Sequence, residues 1–337
     1  MASDQTESSL QRTIAITGSA GFLGTHLIGV LEDAPRIGKI LSLDQQAPST
    51  AGPKTQHFDI DLMERTAEDK IADILATENA DTVVHLAFRH TPSHQPDEAH
   101  YLESVGTMYV LNACRRTRVT RFVLWSQTFL YGASPKNPSF LEEHHPLCAH
   151  TREPYFRDKM QAEKDALEFG KPGAGRQVAI LRTAPIVGPG ITNHFTRFFS
   201  KSTIPSVLGF DPLWQFLHES DAVAALKRAI DADATGLFNI AGPGVLPYSK
   251  IIKLLGRKKV PMTRPLVRLA LATLWTARKN ALPSSFTDYI QYSCVADTER
   301  SRRVLGFVPL HSSQEAIAEL GAAQNLRDVQ LLSEQPA

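Results

Sequence analysis

Length, composition and charge narrow the classes of protein to which this sequence can belong. With 337 residues, 42% of them hydrophobic, the chain can bury a large core and form two domains. Its 36 basic and 35 acidic side chains leave a net charge of +1, which indicates neither nucleic acid nor an acidic membrane as a partner. The three cysteines are widely separated and odd in number, which argues against a disulfide framework and fits a cytoplasmic location. We therefore expect a small molecule as the partner.

The chain ends and the apolar runs predict neither a signal peptide nor a membrane span. The first twelve residues contain no apolar h-region. No uninterrupted apolar run is long enough to cross a bilayer. We expect residues 1–12 and 326–337 to be tails, the first of them flexible.

The N-terminal segment has the pattern of a strand, a glycine turn and a helix. An apolar run at 13–16 precedes the turn at 17–24, and apolar residues at helical spacing follow over 22–31. A second strand-like run over 39–43 ends at Asp44. In such a unit, the N–H groups of the turn and the helix N-terminus receive the pyrophosphate of a dinucleotide.

We predict that the cofactor is NAD and that it binds at this turn. Gly18 permits the tight turn, Gly21 lets the backbone approach the pyrophosphate, and Gly24 allows close packing of helix on strand. Asp44 can accept hydrogen bonds from both adenosine ribose hydroxyls and would repel a 2′-phosphate. Because glutamines rather than an arginine follow Asp44, NAD is favoured over NADP. The predicted turn residues are Gly18, Ala20, Gly21, Phe22, Leu23 and Gly24.

Strand-like and helical patterns alternate over the first half of the chain. This alternation predicts an α/β fold in which a doubly wound parallel Rossmann sheet is covered by helices on both faces. The strand-like runs lie at 82–86, 121–125 and 178–181, and the helical patterns lie near 64–77, 97–117 and 155–169.

The pattern changes near residue 190, where prolines and glycines accumulate. We place the dinucleotide-binding domain at 13–190, with segments near 214–241 returning to it. A smaller, mixed C-terminal substrate domain is expected at 191–325.

A tyrosine and a lysine lie one helical turn apart in the predicted helix at 155–169. Tyr155 and Lys159 therefore share one face of that helix. A tyrosine of ordinary pKa, about 10, is a poor base at neutral pH. An ammonium group about 5 Å away contributes roughly 3 kcal/mol at an effective dielectric of about 20, so we expect Lys159 to lower the pKa of Tyr155. Tyr155 would then exchange a proton with the substrate oxygen during hydride transfer.

The glycine turn, Asp44 and the Tyr155-x-x-x-Lys159 pair together resemble the extended short-chain dehydrogenase/reductase family. That family includes nucleotide-sugar epimerases, dehydratases and hydroxysteroid dehydrogenases, and the resemblance covers about residues 13–320. It implies a homodimer packed through the helices near 97–117 and 155–169, and it implies that Lys159 holds the nicotinamide ribose.

The same resemblance implies further contacts with the cofactor. Asp59 and Ile60 match the step that faces the adenine. Leu86 and Ala87 match the strand end along the cofactor, and Pro185 falls where the backbone turns beneath the nicotinamide.

Two positions depart from the family pattern. The family carries a serine or threonine four residues before the tyrosine of a Tyr-Gly pair, and this sequence has Gln127 there. Ser126 and Thr128 flank it, so all three remain alternatives for contact with the substrate oxygen. Glu103 stands where many members carry asparagine.

The region expected to contact substrate lacks the arginines with which nucleotide-sugar members bind a diphosphate. No arginine occurs in 209–218. Apolar residues are concentrated instead, either as a substrate pocket or as ordinary core. The alternative that the substrate carries a phosphate is kept, because basic side chains that could bind it are present at Arg197, Lys201, Arg264 and Arg268. The apolar residues are Phe195, Phe198, Phe199, Phe210, Trp214 and the segment 265–275.

We therefore predict NAD-dependent hydride transfer at a secondary alcohol or ketone, and a largely apolar substrate is expected if the apolar residues form a pocket rather than core. One alternative is a nucleotide-sugar epimerase or dehydratase with tightly bound NAD. Another is a non-catalytic NAD-binding regulator, which Gln127 suggests.

Two groups of histidines invite a metal site, but their surroundings do not support one. Both groups lie in polar, proline-containing stretches without the cysteine and acid spacing of a zinc site, so we predict no metal. The groups are His90, His94 and His100, and His144, His145 and His150.

Overall fold

The computed structural model describes residues 11–333 except residues 90, 151, 233, 280 and 281, and it describes side chains as far as residue 326. The strands are β1 (Arg12–Thr17), β2 (Ile37–Asp44), β3 (Thr55–Asp59), β4 (Thr82–His85), β5 (Arg121–Gln127), β6 (Gln177–Thr183), β7 (Ile186–Val187), β8 (Thr203–Val207), β9 (Leu213–Trp214), β10 (Leu217–His218), β11 (Gly236–Ile240), β12 (Leu246–Pro247) and β13 (Lys258–Met262). The helices are α1 (Phe22–Glu32), α2 (Ala67–Thr77), α3 (Pro96–His100), α4 (Gly106–Arg115), α5 (Pro154–Phe169), α6 (His194–Phe199), α7 (Glu219–Asp231), α8 (Tyr248–Leu254), α9 (Arg264–Thr276), α10 (Thr287–Gln291) and α11 (Ser313–Ser333).

Seven strands form one parallel sheet in the order β11-β6-β5-β4-β1-β2-β3. Parallel strands need crossover connections, and the connections between β1 and β2 and between β3 and β4 contain α1 and α2. The chain leaves β1 towards β2 and β3 and then returns to β4 on the other side of β1. The predicted doubly wound parallel Rossmann sheet is confirmed, and its switch point lies between β1 and β4.

Helices cover both faces of the sheet. Alternate side chains of each strand point to opposite faces, so each face presents apolar side chains that pack against helices. Ile14 and Ile16 pack in one core with α1 and α7, whereas Ala15 packs in the other with α2, α4 and α5. The inner strands β4, β5 and β6 are largely buried on both sides and largely apolar, whereas the edge strand β3 is polar and partly exposed.

A third core lies beyond the sheet and is rich in aromatic side chains. Phe199, Trp214, Phe286 and Tyr289 belong to it, and so does Tyr155 of α5. Tyr155 therefore lies where the C-terminal region packs against the sheet's helices.

The division into two domains stays a proposal. Strand β11 extends the large sheet by pairing with β6, whereas β7–β10, β8–β13 and β9–β12 form separate two-stranded sheets. This arrangement supports a returning segment near 214–241 and a smaller unit around it.

Helix α11 departs from the predicted tail at 326–337, because it extends to Ser333. Its buried Ala316, Ile317 and Leu320 pack in the aromatic core, and the helix continues past them. Residues 1–10 and 334–337 lie outside the described residues. Within the described ranges, no helix has both the length and the apolar character needed to cross a membrane.

Candidate active site

A cleft of about 400 Å³ opens at the carboxyl ends of β1, β2 and β4. This is the switch point of the sheet, where doubly wound folds bind their ligands. Six of the predicted cofactor residues line the cleft, namely Gly18, Gly21, Asp44, Ile60, Leu86 and Ala87.

Two glycines of the turn are required by its geometry. Gly18 has φ +68°, and a Cβ at this position would lie 2.7 Å from the backbone nitrogen of Ala87. A Cβ on Gly24 would lie 2.6 Å from the carbonyl oxygen of Gly18. Only glycine allows the turn and the neighbouring strand end to approach this closely, so the local structure fits a dinucleotide.

Asp44 is held towards the turn at the rim of the cleft. Its Oδ2 accepts a hydrogen bond of 3.0 Å from the N–H of Ala20. Asp59 pairs beside it in the sheet but is exposed and does not line the cleft, whereas the neighbouring Asp61 does. The acid that lines the cleft after β3 is therefore Asp61 rather than Asp59, and the adenine contact that the resemblance implies for Asp59 stays a prediction.

The other predicted turn residues shape the turn without lining the cleft. Leu23 is buried in the core under α1. The Phe22 ring packs against His26, with 4.2 Å between ring centroids. Ala20 contributes its backbone N–H, as described for Asp44.

A second cavity of about 70 Å³ continues from the cleft. The two cavities share Leu86, Phe88 and Arg89. Most of the remaining lining is apolar or aromatic. It comprises Trp125, Ser126, Gln127, Phe129, Tyr155, Lys159, Thr183, Ala184, Pro185, Ile186, Ile191, Asn193, His194 and Phe195.

Four of the predicted catalytic residues line this cavity, namely Ser126, Gln127, Tyr155 and Lys159. The Tyr155 hydroxyl donates a 3.1 Å hydrogen bond to Oε1 of Gln127. The Lys159 Nζ lies 4.4 Å from the centroid of the Tyr155 ring, as their spacing in α5 requires. Nε2 of Gln127 is buried and has no hydrogen-bond partner among the described residues. The cavity therefore offers one hydroxyl and one amide donor side by side.

Glu103 adds a carboxylate that sequence reasoning did not place in the site. Its Oε2 lies 2.8 Å from Nζ of Lys159, and its Oε1 accepts a 2.9 Å hydrogen bond from the N–H of Arg89. The predicted helix at 97–117 is interrupted by a π-helical turn, Tyr101–Val105, that carries this residue. Such turns are frequent at functional sites.

The pKa shifts differ from the prediction for Tyr155. Burial raises the pKa of Tyr155, the Glu103 carboxylate raises it further, and the hydrogen bond to Gln127 opposes both. Burial lowers the pKa of Lys159 and raises the pKa of Glu103, and their mutual attraction opposes each shift. The pKa of Tyr155 is therefore raised rather than lowered as expected, chiefly because burial disfavours the phenolate and also because the Glu103 carboxylate offsets the Lys159 ammonium.

Neither Ser126 nor Thr128 has a described hydrogen bond to Tyr155, although Ser126 lines the same cavity. The Ser126 hydroxyl donates a 2.5 Å hydrogen bond to Glu163, which forms a buried ion pair of 2.6 Å with Arg182. Thr128 is buried and does not line either cavity. Ser126 and Gln127 thus bond to different residues of α5, and Thr128 follows the end of β5. Of the three alternatives, only Gln127 has a described hydrogen bond to Tyr155.

The apolar residues predicted to form a substrate pocket separate into three locations. Phe195 lines the small cavity, whereas Phe198, Phe199 and Trp214 are buried in the aromatic core. Phe210 is exposed, and α9 places most of the segment 265–275 on the surface. Most of the concentration seen in the sequence is therefore core or surface. Phe88, Trp125 and Ile191, which line the cavity, carry no local signal that could have found them.

The histidines considered for a metal site do not converge in the part of the chain that the structure describes. His94 stacks on Trp275, and His100 contacts Asp158 through Nδ1. His144 and His150 contact Glu142 and Asp288, respectively, and His145 packs near Tyr131. His90 lies outside the described residues.

Sequence comparison places the chain among known proteins. The model of the NAD dependent epimerase/dehydratase family matches residues 14–241. An uncharacterised protein of Mycobacterium tuberculosis is 29% identical over 94% of this chain and 85% of its own length. UDP-glucuronic acid decarboxylase 4 of Arabidopsis thaliana is 26% identical, over 71% of this chain and 56% of its own length.

Solved structures share the fold over nearly the whole chain. MoeE5 in complex with UDP-glucuronic acid and NAD has a TM-score of 0.71 and 22% identity, covering 94% of this chain and 99% of that one. A short-chain dehydrogenase/reductase superfamily protein from Agrobacterium tumefaciens, with bound NAD, has a TM-score of 0.71 and 19% identity, covering 96% and 100%. The family match agrees with the predicted cofactor and with the predicted enzymatic character. The chain therefore belongs to the NAD dependent epimerase/dehydratase family of enzymes.

Proposed function

We propose that the protein catalyses NAD-dependent hydride transfer at a secondary alcohol or ketone of a small, largely apolar substrate. The observation that carries the proposal is the pairing of Tyr155 with Gln127 in a mostly apolar cavity that continues from the cofactor cleft. Hydride transfer at carbon requires proton transfer at the attached oxygen, and a buried phenol can supply that proton.

The cofactor is assigned to the larger cleft. The turn at Gly18 and Gly21 would face the pyrophosphate, and Asp44 would accept hydrogen bonds from the adenosine ribose. Leu86 and Ala87 would lie along the cofactor, and Pro185 would lie near the nicotinamide. When bound, NAD supplies the hydride acceptor or donor.

Tyr155 acts as the proton donor in the reduction direction. Because burial and Glu103 raise its pKa, the phenol stays protonated at neutral pH. A substrate oxygen in the cavity would accept hydrogen bonds from the Tyr155 hydroxyl and from Nε2 of Gln127, which has no other partner among the described residues. Two donors directed at one oxygen stabilise the negative charge that develops there.

Lys159 serves chiefly to position the other groups. Its Nζ contacts Glu103 and lies 3.4 Å from the carbonyl oxygen of Arg89, so it joins α5 to the segment after β4. Its remaining donor capacity is available to the nicotinamide ribose.

The charge of the small cavity supports a largely apolar substrate. Lys159 and Arg89 are the cations among its lining residues, and each contacts a carboxylate, of Glu103 and Glu98 respectively. A diphosphate would need cations that are not already compensated. Pockets for larger ligands usually exceed about 300 Å³, so the volume of about 70 Å³ favours a small substrate.

A panel of secondary alcohols with NAD, and of ketones with NADH, tests the proposal by the change in NADH absorbance. We expect a substrate-dependent signal that is absent from Tyr155→Phe prepared in the same way. Before the assay, any nucleotide should be released by denaturation and identified by mass spectrometry. A native enzyme that gives no signal above Tyr155→Phe with any member of the panel contradicts the proposal.

A nucleotide-sugar epimerase or dehydratase is the second candidate. It is favoured by the relatives, since MoeE5 was solved with UDP-glucuronic acid and a plant relative is a UDP-glucuronic acid decarboxylase. Conversion of UDP-glucuronic acid or UDP-glucose without net formation of NADH would support it. Near-stoichiometric NAD in the purified protein would point the same way, because the cofactor is then regenerated within each turnover.

Oligomeric state and location remain predictions. A homodimer would pack through α4 and α5, which contact each other and expose Met108 and Leu167. Size-exclusion chromatography with light scattering measures the oligomeric state. Fractionation of cells tests the predicted cytoplasmic location.

A further inference from the structure

Two histidines and a glutamate converge outside both cavities. His218 ends β10, His311 precedes α11, and Glu319 lies within α11. One ligand atom from each residue lies within 4.8 Å of the others. His218 Nε2 is 3.1 Å from Oε2 of Glu319, and His311 Nε2 is 4.0 Å from Oε1 of the same carboxylate. None of the three lines the cofactor cleft or the small cavity.

Second contacts hold both imidazoles by their Nδ1 atoms. The buried carboxylate of Asp221 lies 3.0 Å from Nδ1 of His311. The same carboxylate accepts hydrogen bonds of 2.8 Å and 2.9 Å from the N–H groups of Leu310 and His311. Nδ1 of His218 is 2.7 Å from the hydroxyl of Ser220. Metal-binding histidines are held in this way, with one nitrogen on a carboxylate or hydroxyl and the other on the metal.

The Nε2 atom of His218 is the one ligand atom of the three that is buried without a described hydrogen-bond partner. It is buried and makes no hydrogen bond within the described part of the chain, although Oε2 of Glu319 is 3.1 Å away. A buried polar atom without a hydrogen bond costs about 1–3 kcal/mol. An ion between the nitrogen and the carboxylate would satisfy both groups.

We propose that His218, His311 and Glu319 bind a divalent transition metal of the zinc class. Two imidazole nitrogens and one carboxylate oxygen suit Zn²⁺ and similar ions, whereas Mg²⁺ and Ca²⁺ prefer oxygen ligands. Glu319 is partly exposed, with 45% of its side chain accessible, so water can complete the coordination. A metal on Nε2 would require Nδ1 of His218 to donate to the Ser220 hydroxyl, in place of the 3.3 Å hydrogen bond that it accepts from the Ser220 N–H.

The site would join α11 to a segment that reaches the substrate cavity. Glu219, next to His218, accepts hydrogen bonds from the N–H groups of Gly190 and Ile191, and Ile191 lines the small cavity. A metal that binds only the folded chain stabilises it by mass action. The expected role is therefore to hold α11 and β10 together rather than to take part in hydride transfer.

The test is calorimetric titration of the full-length, chelator-treated protein with Zn²⁺ alone. We expect saturation at one Zn²⁺ per chain and a higher melting temperature with the ion. His311→Ala and Glu319→Gln should each weaken Zn²⁺ binding at least tenfold. His144→Ala is the matched control, because His144 is an exposed histidine that contacts Glu142, and it should bind as the native protein does.

Several outcomes would overturn the site. These are no saturable binding by the native protein, native affinity in either ligand variant, or equal binding of Mg²⁺. Circular dichroism and NAD affinity establish that each variant is folded, so a loss of Zn²⁺ binding in a folded variant reports on the site itself.

Discussion

The two ends of the cleft differ in how the chain builds them. The cofactor end is wide, at about 400 Å³, and rests on one turn, the strand end at Asp44 and short neighbouring segments. The substrate end is about 70 Å³ and combines side chains from β5, α5, α6 and the segment after β4. The first therefore depends on local backbone geometry, and the second depends on how distant elements pack.

The two ends also differ in their chemistry, since one depends on local backbone geometry and the other on a buried pair of charges. The cofactor end relies on the glycines of the turn and on the carboxylate of Asp44, which accepts a hydrogen bond at the rim of the cleft. The substrate end contains a buried ion pair, Glu103 with Lys159, whose partners depend on each other for compensation. Substitutions at the two ends should therefore affect different measurable quantities.

Tyr155→Phe should have the largest effect and should affect only the substrate end. Loss of general acid–base catalysis typically lowers the rate by about 10²–10⁴-fold. We expect kcat to fall by that order while the Kd for NAD stays close to native, as measured by turnover and by calorimetric titration. Retention of most activity would remove Tyr155 from the catalytic role.

Gln127→Ala should come next, because it removes the amide donor beside Tyr155. Loss of one donor to a developing negative charge costs about 10²–10³ in kcat. Ser126→Ala is the matched control, since Ser126 also lines the cavity but its hydroxyl bonds to Glu163 rather than to Tyr155 or Gln127. We expect the control to lower stability rather than turnover. Equal losses of turnover in the two variants would contradict the assignment of Gln127.

Asp44→Ala tests the cofactor end. Loss of charged hydrogen bonds to the ribose should weaken NAD binding by about 1.5–3 kcal/mol, and the adjacent Asp59→Ala should not, because Asp59 does not line the cleft. Titration with NAD measures both. A larger effect for Asp59 would restore the adenine contact that the family resemblance implies.

Glu103→Gln should change the pH dependence rather than abolish activity. Glu103 raises the pKa of Tyr155, so its neutral replacement lowers that pKa and leaves the Lys159 charge uncompensated. Alcohol oxidation needs Tyr155 to accept a proton, and its alkaline rise should therefore move to lower pH in Glu103→Gln. Glu98→Gln, which loses only a partly exposed contact with Arg89, should keep the native profile. An unchanged profile in Glu103→Gln would contradict the role of the carboxylate.

The parts of the site that could be predicted from the sequence are those set by neighbouring residues. The turn at Gly18 follows from a steric requirement for positive φ, and the pairing of Tyr155 with Lys159 follows from the helical repeat. Alternating strand and helix patterns were enough to predict the parallel sheet, because each pattern reflects burial along a short segment.

Other features could not be predicted because they depend on distances between residues far apart in the chain. The choice of Gln127 over Ser126 depends on which residue of α5 each side chain meets, since Gln127 bonds to Tyr155 and Ser126 bonds to Glu163. The π-helical turn that carries Glu103 interrupts a pattern that reads as one continuous helix.

The sequence by itself determined the parallel sheet, the glycine turn and the shared face of Tyr155 and Lys159, since backbone sterics and side-chain periodicity act over a few residues. Only the tertiary structure decided that Glu103 pairs with Lys159, which of three neighbouring side chains meets Tyr155, and that His218 and His311 lie against Glu319. Those contacts join segments that packing alone brings together, and the charge around a buried group depends on all the segments that surround it.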